Sequence, residues 1–357
     1  MICPNHRRIT CEEALNLFQS DDLMALGERA HAMRLAINAP DVVTYVVDRN
    51  INYSNGCAAT CDFCAFYRKA DDEEAYVLPI EEILQKIEEL DAVQGTQVLM
   101  QGGLHPKLPF SYYTDMLRAI RERFPHIDLH SFSAPEIFFF SKKYKMSIAD
   151  VLRELNEAGL TSMPGGGGEI LSDRVRKEIT KGKCMTQDWL KVHEEAHQLG
   201  MRTTATMMFG HIETYEERVE HLHHLRELQD RTGGFTAFIP WTFQPQYTDM
   251  EEVPEVGAIE YLKTLAIARI FLDNFPSIQA SFITQGKQVG QMALFFGAND
   301  MGGTMMEENV VAATGVHNCS NEKEVCKLIA DAGYTPRKRN TAYQLLDEAQ
   351  QPEVAVN

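Results

Sequence analysis

The chain has 357 residues, 44% apolar and 24% charged, with 23 glycines and 14 prolines. That is globular composition, and it excludes a disordered, collagen-like or coiled-coil chain. Its 34 basic residues stand against 51 acidic ones, a formal net charge of −17, which argues against a non-specific nucleic-acid binder or a polybasic membrane-surface protein, since both need a positive field.

No apolar run reaches the roughly 18 residues that a bilayer span needs. Residues 1–15 lack the apolar stretch of a signal peptide. The expectation is a cytoplasmic protein, with no membrane partner and no nucleic acid. Its eight cysteines are then free thiols or metal ligands rather than disulfides.

In chain order, residues 11–38 read as helices laid before the first strand. Short β-branched or apolar runs then alternate with amphipathic stretches. Strands are expected at 43–53, 97–101, 127–133, 160–163, 203–209, 236–243, 278–283 and 299–304. Helices are expected at 79–93, 110–124, 147–158, 186–199, 215–231, 257–275 and 321–332. The first of these places Ile80, Ile83, Leu84, Ile87 and Leu90 on one face. Strict alternation implies a parallel sheet. Six to eight such units over about 300 residues fit a TIM-type βα barrel of α/β class, complete or nearly complete with eight strands. An open doubly wound sheet is the alternative. The expected division is an N-terminal helical extension over 1–40, the barrel over 41–335 and a C-terminal tail over 336–357. Active-site residues of a βα barrel sit where its strands end.

After the first strand comes Asn55-Gly56-Cys57-Ala58-Ala59-Thr60-Cys61-Asp62-Phe63-Cys64-Ala65-Phe66-Tyr67, a C-x3-C-x2-C spacing. Three thiolates this close can fold around one metal centre, and soft thiolates select zinc, copper(I) or an iron–sulfur cluster. A zinc site would want a fourth close ligand, and no Cys or His follows at finger spacing. A 4Fe–4S cluster on three cysteines leaves one iron open for another ligand. The plain alternative is three buried thiols acting as small hydrophobes.

The other strand ends are polar or glycine-rich. Gln101-Gly102-Gly103 follows the second strand, where glycine permits close backbone approach. Ser131, Ser133 and Glu136 end the third. Met163-Pro164-Gly165-Gly166-Gly167-Gly168-Glu169 follows the fourth, and with no Lys-Ser/Thr after it this is no P-loop but a loop approaching cofactor or substrate. His211 ends the fifth, and His105 follows the Gly102-Gly103 pair. Each is as readily a structural histidine as a catalytic one.

His193-Glu194-Glu195-Ala196-His197 matches H-E-x-x-H, with both histidines on one helix face. It would make a zinc hydrolase of His193, Glu194 and His197. Against this stand the lack of a third ligand at a recognised spacing and the expected outer-ring position of the helix. A solvated helix face is the expectation, as for His221, His223 and His224. Cys3, Cys11, Cys184, Cys319 and Cys326 are too scattered for a second cluster.

The cysteine spacing, with an aromatic residue before the last Cys, resembles the radical S-adenosylmethionine superfamily. The resemblance implies one 4Fe–4S cluster on Cys57, Cys61 and Cys64. Its open iron would chelate the amino and carboxylate groups of S-adenosyl-L-methionine, and an electron would cleave the sulfonium to give a 5′-deoxyadenosyl radical. Gln101, Gly102 and Gly103 would hold the methionine amino group, although the glutamate usual in that turn is Leu104 here. Glu169 would meet the ribose hydroxyls or the methionine end, Phe63 and Tyr67 the adenine, with Ser133 also at the cofactor. VVDRNINYSNGC, HSFSAPEI, TTATMMFGHIET, LRELQDRTGGFTAFIPWTFQP and GANDMGGTMMEENV extend the resemblance from about residue 46 to about residue 315. Together they are similar to the cyclic dehypoxanthinyl futalosine synthase family of the futalosine route to menaquinone, with aminofutalosine synthase the related alternative. The chain departs from that pattern at Gly56, Ala58, Ala59 and Thr60, where bulky or basic residues are commoner, and at Gly168, where Ala is.

The resemblance implies removal of the ribose C4′ hydrogen from dehypoxanthine futalosine. The carbon radical then closes onto the benzoate ring, and loss of an electron and a proton restores aromaticity. A general base is required, for which Glu136, His211, His105 and Glu169 stand open. Asn299-Asp300 would close the barrel mouth. A one-electron reductant such as flavodoxin or ferredoxin is the implied partner.

Overall fold

Thr10 opens the first helix. Its side chain accepts from Glu13 N while the Glu13 carboxylate returns to the Thr10 backbone, a capping box that sets α1 at Cys11–Phe18. α2 (Leu23–Ile37) starts from an Asp22 cap. Both helices precede the first strand. The structure, a computed structural model, describes residues 7–346. Cys3 and the ends of the extension and tail lie outside those residues.

β1 (Val42–Val46) and β2 (Asp48–Ile51) follow, the two halves of the expected first strand, parted at Val47. Then come β3 (Thr60–Cys61), α3 (Ile80–Ala92), β4 (Gln97–Met100), α4 (Phe110–Arg123) and β5 (Asp128–Ser131). α5 (Ala134–Tyr144), α6 (Ile148–Ala158) and β6 (Ser162–Met163) lead to α7 (Asp173–Ile179) and β7 (Thr180–Lys181). α8 (Thr186–Gln198), β8 (Arg202–Phe209), α9 (Tyr215–Thr232), β9 (Phe235–Thr242) and α10 (Ala258–Phe271) are regular βα units. The last part holds β10 (Ser277–Ile278), α11 (Phe282–Gln285), α12 (Lys287–Ala293), β11 (Asp300–Gly303), α13 (Glu322–Asp331) and β12 (Thr335–Lys338). No helix among the described residues is long and apolar enough to cross a membrane.

Seven strands pair in parallel in the order β10-β9-β8-β6-β5-β4-β2. Ala280 N donates to Asp300 O at 2.8 Å, which links the β10 end to β11. β11 pairs in parallel with β1, Thr44 opposite Asp300, and β1 runs on into β2. The strands therefore curl into the expected TIM-type barrel, and the doubly wound alternative falls. α3 buries Ile83, Leu84, Ile87 and Leu90 on its inner face, as the spacing requires.

The structure differs from expectation in four places. The strand expected over 278–283 ends at Ile278, and α11 occupies its second half. α5, α7 and α12 were not anticipated. β3 and β7 form a separate antiparallel ribbon, Cys61 opposite Thr180. Finally, β12 pairs in parallel with β1, so the tail boundary expected between 335 and 336 falls inside a strand.

The residues after β12 close the N-terminal end of the barrel. Thr341 Oγ1 meets Gln97 Oε1 at 2.8 Å, and Thr341 N donates to Asp128 Oδ2 at 3.2 Å. Arg339 reaches Asp300 through Nε at 2.5 Å and Nη2 at 3.0 Å, and both side chains are buried. A buried charge pair is held by its geometry, and removal of one partner strands the other. Arg339→Ala should therefore lower unfolding free energy by about 3 kcal/mol. Urea titration of the two proteins would read the change, and a loss under about 1 kcal/mol would mean that Asp300 regains solvent or another donor.

Candidate active site

The cysteine loop leaves β2 and docks on the turn after β4. Gly103 N donates to Ser54 O at 2.8 Å, Ala58 N to Leu104 O at 2.9 Å, and Leu104 N to Cys57 Sγ at 3.3 Å. Glycine at 103 is required by this contact. A Cβ there would lie 2.3 Å from Gly56 O and 3.1 Å from Cys57 Cβ. At Gly102 it would lie 2.4 Å from the Tyr53 ring. The glycine pair thus admits the cysteine loop itself.

Cys61 is buried on β3, its Sγ 3.1 Å from Thr180 Oγ1, while Cys57 and Cys64 are half-buried. Ala59, Leu104, Phe63 and Phe139 pack around them. Burial pushes all three thiols up, each thiol feels the charge of another, and Lys183 pulls all three down. Among the described residues no three Cys, His, Asp or Glu side chains converge tightly enough for a single metal ion. Three soft sulfurs that share one apolar pocket without meeting at a point suit a polynuclear cluster, where each thiolate takes its own iron. The donor set therefore fits a 4Fe–4S cluster and leaves one iron without a protein ligand.

Glu169 stands beside this pocket with its backbone in the left-handed region at φ 32°. Its Oε1 accepts from Lys183 Nζ at 2.6 Å, and Oε2 lies 3.5 Å from Arg176 Nη1 but takes no hydrogen bond. Burial works to raise its pKa, and the two cations together hold the carboxyl below the usual range. Lys183 also lies over the Phe63 ring, 5.1 Å from its centroid. Arg176 ties the glycine-rich loop by donating to Gly168 O at 2.9 Å and Gly167 O at 3.1 Å. Arg176 and Lys183 were missed in the sequence, because they follow the glycine-rich motif within a short helix and a turn that the pattern did not show. Tyr67 is half-buried in the same loop as Phe63.

The expected base candidates are otherwise engaged. Glu136 is fully buried: Oε1 accepts from Tyr53 Oη at 2.5 Å and Gly102 N at 3.1 Å, and Oε2 from Ser133 N at 2.7 Å and Ser133 Oγ at 2.6 Å. Ser133 thereby spends its hydroxyl on a helix cap, and Ser131 is buried with its Oγ unpartnered. His211 is buried, with Nε2 on Met208 O at 3.1 Å and Nδ1 accepting from Ile212 N at 2.8 Å. His105 Nδ1 accepts from Lys107 N and Leu108 N, both at 3.2 Å.

A chamber of about 240 Å³ lies inside the barrel. Leu99, Ile239, Trp241, Phe282 and Met301 give it an apolar wall, and Asp48, Asn50, Gln101, His130 and Thr204 line it as polar groups. Of the expected site residues only Gln101 is in this lining; Gly165 and Gly166 of the glycine-rich loop also reach it. Glu136, His211 and His105 do not. Asn299-Asp300 is corrected from the mouth to the opposite end, since β11 begins at Asp300 and the pair bonds there with Arg269 and Arg339. Asp48, Asn50 and His130 had a readable signal: alternate polar residues on otherwise apolar strands.

The H-E-x-x-H helix also departs from expectation. His193 and His197 are not on a solvated face but pack between α8 and β8, sharing Thr203 Oγ1 at 3.0 Å from His193 Nδ1 and 2.7 Å from His197 Nε2. The His193 ring centroid lies 3.9 Å from that of Trp189. Burial lowers both pKa values, that of His197 to about 4. Glu194 points away and meets Arg231 at 3.1 Å. The motif is part of the helix–sheet packing and assembles no metal site. His221 is likewise fully buried, accepting from Leu171 N at 2.9 Å.

Residues 51–225 match the radical SAM superfamily, and residues 232–352 match the CofH/MqnC C-terminal region. The cyclic dehypoxanthine futalosine synthase of Halalkalibacterium halodurans is 44% identical, over 98% of this chain and 95% of its own. The aminodeoxyfutalosine synthase of Streptomyces coelicolor is 38% identical, over 98% of this chain and 93% of its own. The crystal structure of methylornithine synthase shares the fold with a TM-score of 0.74 at 17% identity, covering 94% of this chain and 96% of that one. Three thiolates at a barrel mouth and similarity along nearly the whole length agree: the chain belongs to the radical SAM superfamily, in the branch that carries the CofH/MqnC C-terminal region.

Proposed function

We propose that this enzyme closes dehypoxanthine futalosine to its cyclic form. The observation that carries the reading is the 44% identity to a cyclic dehypoxanthine futalosine synthase across both chains. Cys57, Cys61 and Cys64 would hold a 4Fe–4S cluster, which together with S-adenosylmethionine would supply the carbon radical needed to remove the ribose C4′ hydrogen.

The chain's own residues bind, orient and exclude water. Phe63 and Tyr67 offer aromatic faces beside the cysteines. Glu169 Oε2, which takes no hydrogen bond, is an acceptor for a cofactor hydroxyl or ammonium group. Gln101 extends from the β4 end into the chamber. The apolar chamber wall suits an aryl ring, and the closed barrel floor keeps water from a reactive radical. Positioning of this kind converts an intermolecular encounter into an intramolecular one. The reductant is proposed to be a small one-electron carrier such as flavodoxin or ferredoxin.

The test is anaerobic reconstitution followed by a strong reductant, S-adenosylmethionine and dehypoxanthine futalosine. The expected result is 5′-deoxyadenosine together with a product two hydrogens lighter than the substrate. Deoxyadenosine without that product would move the substrate to the enolpyruvyl benzoate of the sister reaction.

Three variants sharpen the reading. Cys61→Ala should lose both the cluster absorbance and all deoxyadenosine. Gly103→Ala should bind less iron on reconstitution while its far-ultraviolet dichroism stays unchanged, because its Cβ strikes the cysteine loop and not the core. His193→Ala should lower stability by about 2–4 kcal/mol through a cavity beside Trp189, yet keep turnover per loaded cluster within about tenfold, near 1.4 kcal/mol. A larger loss of turnover in that variant would return the H-E-x-x-H helix to the chemistry.

A further inference from the structure

Five ionisable side chains line the chamber: Asp48, His130, Glu308, Arg339 and Tyr343. Four of them are spent. Arg339 is doubly bonded to Asp300. Tyr343 donates to Gln279 Oε1 at 3.3 Å and carries the Arg339 guanidinium 3.6 Å over its ring. Glu308 accepts the backbone N–H groups of Val310, Val311 and Ala312. His130 shares a hydrogen bond with Ser162 Oγ at 2.7 Å, and burial without a counter-charge drives its pKa down to about 3, so it stays neutral.

Asp48 is different. It is buried on β2, on the face that also carries Asn50 into the chamber. Its Oδ1 accepts from Met305 N at 2.9 Å, and among the described residues Oδ2 has no hydrogen-bond donor. Asn50, 5% exposed, also leaves its Oδ1 buried and unpartnered. Two acceptors on one face of β2 thus take no hydrogen bond beside one chamber, and a buried acceptor such as Asn50 Oδ1 is costly unless a ligand meets it.

We propose that Asp48 is the general base of ring closure, its Oδ2 taking the proton that the benzoate ring loses. This rests on the cyclase reading above. Addition of the C4′ radical to the ring forms the new carbon–carbon bond and leaves one hydrogen too many on the attacked carbon. Asp48 takes that hydrogen as a proton, the C–H electron pair returns to the aromatic system, and the surplus electron leaves to a one-electron acceptor of iron–sulfur or flavin type. Asn50 Oδ1 accepts from a ribose hydroxyl and sets the ring's approach.

The surroundings suit a base at neutral pH. Burial pushes the Asp48 carboxyl up to about 6, with Asp300 adding to the rise and the Met305 N–H and Arg339 opposing it. The charged and titratable groups around it are Asp300 on β11, Glu308 in the segment after β11 that borders Asn50, Arg339 and Tyr343 beyond β12, and His130 on β5; Gln97 on β4 and Asn50 on β2 are neutral. A base must be unprotonated to act, so product formation should fall as pH drops through about 6.

The experiment uses the reconstituted full chain, substrate deuterated at C4′, and Asp48→Asn. Deuterium should still reach deoxyadenosine in the variant, while cyclic product falls about 100-fold and the acid limb of the pH profile disappears. Infrared difference spectra of the cluster-free proteins should show a carboxyl that titrates near 6 in the wild type and is missing from Asp48→Asn. Product within about threefold of wild type, or an unchanged acid limb, overturns the assignment. Absence of deuterium transfer in the wild type overturns the cyclase reading instead. Should the variant fail to load its cluster, the wild-type carboxyl titration and acid limb decide: coincident midpoints support Asp48, and midpoints more than about one pH unit apart overturn it.

Discussion

The site depends on one buried carboxylate. Glu136 receives four hydrogen bonds, from Tyr53 ahead of the cysteine loop, from the Gly102 backbone after β4 and twice from Ser133 at the start of α5. Three neighbouring strand ends are therefore tied to a single side chain. Burial raises its pKa, and the donors work against that rise. Such a group is stable only while every bond is kept, because a low-dielectric surrounding strengthens each bond and penalises each loss. The cysteine loop inherits this rigidity through Gly103 N on Ser54 O and Leu104 N on Cys57. A carboxylate expected to do chemistry is instead the reason that the cluster pocket has a fixed shape.

The charges nearest the thiols follow the same logic at shorter range. Lys183 is half-buried, which opposes its charge, yet Glu169 and Cys61 hold its pKa above the ordinary lysine value. Arg176 supplies the second cation and Glu169 the intervening anion, so the pocket carries one net positive charge beside three thiols. That excess favours the thiolate form needed for metal binding. It is local, and it sits in a chain with a formal net charge of −17. The overall charge therefore says little about the field at the site.

Much of the barrel was legible because its signals are periodic. Alternating strand and helix patterns of ordinary length announced β4, β8, β9 and most outer helices. The short elements were not, since α7, α11 and α12 are too brief to show a period. α5 was readable from Ser133 and Glu136, a capping-box pair before an apolar run, but the same residues end a strand and invited a catalytic reading. The H-E-x-x-H match misled in both directions. Its histidines pack against the sheet instead of lying on a solvated face, because a helix packed on a sheet can bury imidazoles that share a hydroxyl such as Thr203. The cysteine spacing was legible because it is local, whereas Arg176 and Lys183 follow the glycine-rich loop in elements too short to show a period and the chamber lining comes together only through long-range strand order.

The C-terminal strand explains why the chamber is a chamber. A βα barrel of this size is open at its floor unless side chains or chain fill it. Here β12 adds to β1, and the residues beyond it cross the strand starts, where Arg339 bonds Asp300 and Thr341 bonds Gln97 and Asp128. Asp48 lies on the adjoining face of β2, opposite Gln97 in register. The same plug that excludes water from the floor also places a cation and an anion beside Asp48, with opposite effects on its carboxyl. Burial is the main influence on that group. A carboxyl raised by burial rather than by a neighbouring charge is insensitive to salt, and its proton affinity then depends on whether the floor stays closed.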